Sequence, residues 1–200
     1  MKIAVMSDIH GNIYALMKTL EDIDEQRVDK IICLGDLVGY GPHPNEVIAL
    51  IKRREIPCIK GNYDASVVDG DFTFIRNTAI NSFALPWTCE EVRVSNKYYL
   101  DSLPTSLKYT FNGVNILFTH GSPNAINEYL FEDAENTKKV MTEYEGDVLV
   151  CAHTHIPFTK KFNNKTLINV GSVGKPKIGK PNPTYTIIEI KDNGEIVVQV

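Results

Sequence analysis

The sequence predicts an α/β fold built on mixed sheet. Three observations carry this. Short apolar runs alternate with amphipathic stretches in the N-terminal part, the last third changes to paired strands around turn sequences, and five apolar runs each end in residues able to bind a metal. Strand, helix, strand in succession favours parallel pairing with a right-handed crossover, while hairpins add antiparallel strands.

Residues 2–7 read as a strand that runs into Asp8-Ile9-His10. Asn12 then caps a helix reaching about Gln26, with Ile13, Leu16, Leu20 and Ile23 at helical spacing. A second apolar run, 31–34, leads to Gly35-Asp36, and the Gly/Pro-rich stretch after it opens a helix over 45–54. The run 56–60 reads as a third strand ending at Gly61-Asn62; residues 61–78, without periodicity, read as a long loop beside it. Residues 79–103 are expected to be helical in two pieces, broken near Arg93-Val94, with Ser95 capping the second and Pro104 stopping it. Asn112-Gly113 joins strands 106–111 and 114–119, the latter ending at His120-Gly121. A helix over 134–144 returns to the buried strand 148–152 and its terminal His153-Thr154-His155, and two hairpins follow, 157–163 with 166–170 and 183–191 with 195–200. No linker interrupts the pattern, so one domain over 1–200 is expected.

Composition narrows the function classes. Apolar content of 43% and charged content of 23% are ordinary for a globular chain. The formal charge of −4 weighs against broad electrostatic binding of nucleic acid. Asp8 cuts the first apolar run and no other stretch approaches the roughly 18–20 residues of a membrane span, so a cytoplasmic protein is expected. Of the four cysteines, Cys33, Cys58 and Cys151 fall in buried runs as small apolar residues, and none shows C-x-x-C spacing.

Asp8 and His10, like His153 and His155, are two apart, and in an extended backbone would share a face where their strands stop. With Asp36, Asn62 and His120, they make seven oxygen and nitrogen donors. One metal rarely needs seven, whereas two metals about 3.5–4 Å apart would use them all. Carboxylate, amide and imidazole without thiolate suit Mn²⁺, Fe, Co²⁺, Ni²⁺ or Zn²⁺ and disfavour Ca²⁺. Neither G-x-S-x-G nor G-x-x-x-x-G-K-[ST] occurs, which argues against a serine esterase and a P-loop NTPase.

In this order, Asp8-Ile9-His10, Gly35-Asp36, Gly61-Asn62-Tyr63-Asp64, His120-Gly121 and Ala152-His153-Thr154-His155 resemble the calcineurin-like metallophosphoesterase family over about residues 1–180, and most nearly its small YfcE-like bacterial and archaeal branch. The resemblance implies two facing mixed β-sheets flanked by helices, the αββα sandwich of metallophosphoesterases. It also implies that Asp8, His10 and His155 bind one metal, that Asn62, His120 and His153 bind the other, and that Asp36 bridges both. Mn²⁺ is the family-style first expectation.

Two positions depart from the family pattern: Tyr63 stands where a histidine is usual, and Ala152 where a glycine is. A phenol, with a reference pKa of about 10, is a poorer acid than imidazole, so slow turnover of poor leaving groups is expected. Asp36, Asn62, Tyr63 and Asp64 are the expected catalytic group, with Asp64 orienting Tyr63 or its loop, and His43 is the one histidine outside the ligand set. Asn62, Tyr63, Gly171 and Lys175 are expected to bind substrate, the 171–177 loop supplying backbone N–H groups and Lys175 or Lys177 a charge for a second phosphate. The expected function is a two-metal phosphoesterase in which metal-activated hydroxide attacks a phosphodiester or small phosphorylated metabolite. A phosphomonoesterase, a dinucleoside polyphosphate hydrolase, a nuclease and a non-catalytic interaction module are the alternatives. The expected partner is a small phosphorylated substrate, not nucleic acid or a membrane, and an oligomer is compatible.

Overall fold

A computed structural model describes residues 1–200. Strands β1 (Lys2–Met6) and β2 (Lys30–Cys33) are parallel, joined by α1 (Ile13–Glu25), whose N-cap Asn12 accepts a hydrogen bond from the Ala15 N–H. Helices α2 (Pro44–Arg53), α3 (Asn62–Asp69), α4 (Ala79–Glu91) and α5 (Val94–Ser102) follow. Then come β3 (Ser106–Phe111), β4 (Val114–Thr119), α6 (Glu135–Glu143), β5 (Val148–Cys151), β6 (Phe158–Phe162), β7 (Lys165–Asn169), β8 (Thr186–Ile190) and β9 (Ile196–Gln199). The strands make two mixed sheets, ordered β2-β1-β8-β9 and β3-β4-β5-β7-β6.

Side-chain alternation builds the layers. Ile3 and Val5 of β1 point inward to meet Phe118, Val148, Val150 and Ile168 of the other sheet, forming an apolar layer between the sheets. Ala4 and Met6, on the opposite face, pack under Leu16, Leu20, Ile48 and Ile51 of the helices. On the outer face of the second sheet, Leu149, Cys151 and Leu167 bury against Val140 and Met141 of α6. The chain is therefore a helix–sheet–sheet–helix sandwich.

Several expectations require correction. The run 56–60 is not a full strand: Pro57 lacks an N–H donor, and only Cys58 bridges, to Cys33 of β2. Residues 62–69 of the expected loop are helix α3, whose buried face carries Asn62, Tyr63, Asp64, Ser66 and Val67. A helix with so polar a buried face has no apolar periodicity to read. Ser95 lies inside α5, which Arg93 precedes without a side-chain cap. All four cysteines are free.

The loops that follow β2 and the 56–60 run touch at their glycines. Gly35 has φ +88°, and a Cβ there would stand 2.3 Å from the Gly61 nitrogen and 2.8 Å from its Cα. Gly35→Ala is therefore expected to cost more than about 2 kcal/mol and to lower Tm by about 5 °C or more, measured in chelator so that metal loss does not contribute.

Candidate metal centre

The seven donors are brought together, but not by strand geometry. Asp8, His10, Asp36, His153 and His155 all have positive φ, between 49° and 63°. Each sits in a left-handed turn just beyond its strand, a conformation that Asp and His tolerate better than most residues, at about 1–3 kcal/mol each. The shared-face argument from extended backbone thus reached the right clustering through the wrong conformation. Paired loops hold these turns: the N–H groups of Asp8, His10 and Gly11 donate to the carbonyls of Gly35, Asp36 and Leu37 at 2.8–3.0 Å, and Ala152 N–H donates to His120 O at 2.9 Å. Across the two sheets, His153 N–H donates to Asp8 Oδ2 at 3.2 Å.

Two donor groups result, Asp8, His10 and His155 in one and Asp36, His120 and His153 in the other, with the donor atoms of each within 4.8 Å of one another. Asp36 Oδ2 lies between the groups, 3.7 Å from His10 Nε2 and 3.4 Å from His120 Nε2. Asn62 Oδ1 is 2.9 Å from His120 Nε2, while its amide nitrogen donates to Phe74 O at 3.3 Å. The imidazoles are oriented from behind, His10 Nδ1 toward Val38 O at 3.0 Å, His120 Nδ1 toward Leu34 O at 2.8 Å and His155 Nδ1 toward Lys175 O at 2.6 Å. These carbonyls take the Nδ1 protons and leave the Nε2 lone pairs facing inward. His153 is reversed: Nε2 is 3.2 Å from Asn127 O, which leaves Nδ1 for the site.

This arrangement is unsatisfied without a cation. Asp8 Oδ1 and Asp36 Oδ2 are buried and accept no hydrogen bond. The Nε2 atoms of His10 and His155 face each other at 3.3 Å. Burial works to raise the Asp8 pKa, but His155, His10 and His120 hold it well below the usual carboxylate range. Asp36 is lowered too, by His120 against the same burial penalty. Burial pulls His120 down, yet Asp36 and Asp8 push it up to about 10, while burial and the His120 charge take His153 down to about 4. Two buried carboxylates that hold positive charge on one imidazole, whose charge with burial then keeps it off the next, make a local field suited to a cation. The donor set fits divalent metal.

A cavity of about 240 Å³ opens above these residues, lined by Asp36, Asn62, Tyr63, His153 and His155. Lys175 and Lys177 also line it, together with Tyr40, Arg76 and Tyr129, which no sequence pattern marked. Tyr63 is buried; its hydroxyl donates to Asn81 Oδ1 at 2.9 Å and pairs with the Tyr40 hydroxyl. Burial and Tyr40 push its pKa further up.

Asp64, Gly171 and His43 are absent from the cavity lining. Asp64 Oδ2 accepts from the N–H groups of Asp36 and Gly61, its Oδ1 from Leu37 and Val38, at 2.8–3.3 Å, so it ties two ligand loops together as a positioning residue. Burial and the Asp36 charge push it up to about 7, against the pull of those donors. The Gly171 N–H is spent on Asn169 Oδ1 at 3.0 Å and is not free for an anion. His43 packs edge-on against Tyr14, outside the cavity.

Comparison with known proteins agrees with this geometry. The model of the calcineurin-like phosphoesterase superfamily domain matches residues 1–193. Protein MJ0912 of Methanocaldococcus jannaschii is 35% identical, over 99% of this chain and 86% of its own length. Phosphodiesterase YfcE of Escherichia coli K12 is 26% identical, over 100% of this chain and 97% of its own. The crystal structure of a metallophosphoesterase from Sphaerobacter thermophilus superposes with a TM-score of 0.81 at 28% identity, over 99% of this chain and 86% of that one. With the family match spanning nearly the whole sequence, the chain belongs to the calcineurin-like phosphoesterase superfamily, whose members hydrolyse phosphoester bonds with the help of metal.

Proposed function

We propose that the chain is a two-metal phosphoesterase acting on a phosphodiester or other small phosphorylated compound. The observation that supports it most is the pair of buried, partnerless oxygens, Asp8 Oδ1 and Asp36 Oδ2, each facing imidazole nitrogens, with Asp36 and His155 reaching the wall of an open cavity. Asp8, His10 and His155 would hold one ion, Asn62, His120 and His153 the other, with Asp36 contributing to both. Among the metals that suit this donor set, Mn²⁺ is the first candidate. Two divalent ions bound here would supply activated water and charge neutralisation for attack at phosphorus.

The chain's own groups do the rest. Val38, Leu34 and Lys175 carbonyls fix three imidazoles, so little reorganisation is needed when substrate enters. Asn62 and His153 border both the donor cluster and the cavity, where they can orient a phosphate. The Tyr63 hydroxyl donates a hydrogen bond to Asn81 Oδ1 and stays a neutral phenol, so esters whose leaving oxygen must be protonated are expected to react slowly.

The test is hydrolysis of bis-p-nitrophenyl phosphate after chelator treatment and metal return. Activity is expected to vanish with chelator and to return with Mn²⁺. Saturating Mn²⁺, at about 100 times its Kd, should also stabilise the fold by about 2.7 kcal/mol, raising Tm by about 5–10 °C. Pure protein that binds metal but cleaves no phosphoester with Mn²⁺, Fe²⁺, Co²⁺, Ni²⁺ or Zn²⁺ would favour a non-catalytic role on the same scaffold.

A further inference from the structure

Two cations stand over the cavity on aromatic supports, and each support rests on a different donor group. Lys175 Nζ is 3.4 Å from the ring centre of Tyr40, which meets His10 edge-on at 4.9 Å. The Arg76 guanidinium is 4.8 Å from the ring centre of Tyr129, which stacks on His153 at 4.0 Å. Lys177 lines the same cavity.

These cations have no carboxylate partner. Lys18, Arg54, Lys60, Lys138, Lys160 and Lys191 each pair with an acid within 4 Å; Arg76, Lys175 and Lys177 do not. Nor is Arg76 loosely placed. Asn81 Nδ2 donates to its carbonyl at 2.8 Å, and Asn62 Nδ2 donates to Phe74 O in the same loop, so that loop is fastened to Tyr63 through Asn81 and to the metal centre through Asn62. Three like charges facing one cavity repel each other unless an anion lies between them. A monoanionic diester on two divalent ions does not need them.

We propose that Arg76, Lys175 and Lys177 form a second anion subsite, so that the preferred substrates carry a further phosphoryl group beside the one that reacts. The inference rests on the phosphoesterase reading of the centre and narrows it to multiply charged phosphates. A planar guanidinium accepts two phosphate oxygens at once, and the two ammonium groups complete the charge.

The test compares calorimetric binding of methylenediphosphonate, which has two phosphoryl groups and resists hydrolysis, with that of methylphosphonate, on Mn²⁺-saturated protein. The diphosphonate is expected to bind at least about tenfold more tightly, with the preference weakening as salt rises. Part of any such preference could come from the metals alone, so the deciding comparison is the double variant Arg76→Ala/Lys177→Ala. Both side chains are exposed, and the preference should fall about tenfold in it, with Arg76→Lys alone keeping part. Equal binding of the two probes by the wild type, or an undiminished preference in the double variant, overturns the subsite. Turnover of bis-p-nitrophenyl phosphate in the same preparation scores the hydrolase separately: its absence would strike the catalytic reading and leave the calorimetric comparison to decide the subsite.

Discussion

Asp36→Asn is expected to reduce metal-dependent hydrolysis by about 10³-fold or more, well beyond the 10–100-fold typical of losing a group that only supports a ligand. The amide is nearly the shape of the carboxylate, and its oxygen can still accept the Tyr63 N–H that Asp36 Oδ1 now accepts at 2.8 Å. What disappears is the negative charge at Oδ2, the one oxygen lying between His10 and His120 of the two donor groups. The variant should keep its secondary structure by circular dichroism, take up less metal by elemental analysis, and lose most of the Tm increase that Mn²⁺ gives the wild type. Turnover within tenfold of wild type by a pure, metal-replete variant would show that Asp36 is not shared between two ions.

Asp64→Ala should have the largest effect on the fold itself. It leaves four backbone N–H groups, those of Asp36, Leu37, Val38 and Gly61, without an acceptor in a buried place. At about 1–3 kcal/mol for each orphaned donor, and allowing for relaxation and entry of water, a loss of about 4 kcal/mol is expected. For a chain of this length, that lowers Tm by about 8–16 °C. Asp64→Asn should be nearly as harmful, because its amide nitrogen would face two donors where the carboxylate faced them with an acceptor. Melting both variants in chelator isolates this effect from metal binding; a shift under about 2 °C for the alanine variant would mean that the two loops hold their shape without the carboxylate.

Much of the centre was legible because its donors directly follow apolar runs that the core requires. Asp8 after β1, His120 after β4 and His153 after β5 are such cases: period and burial locate the strand, and the first polar residues beyond it mark the site. The same logic led astray where the backbone leaves the extended region, since nothing in the local pattern distinguishes a left-handed His155 from an extended one. Helix α3 was hidden because it buries Asn62, Asp64 and Ser66, side chains that usually face water. Tyr40, Arg76 and Tyr129 come from irregular segments, where which residues meet over a cavity is decided by contacts between segments distant in the chain. Asp64 was found by its motif, but its work is visible only once its four partners are seen.

Asp8 is held from the far end of the chain: its carbonyl accepts from Ser172 Oγ at 2.8 Å and from the Gly174 N–H at 2.9 Å, and β8 lies against β1 from Lys2 to Val5. During synthesis on the ribosome, a nascent polypeptide that has already released all seven donors still lacks the clasp that sets the first of them. Ion capture at full affinity is therefore expected to wait until residues 172–190 have left the ribosome.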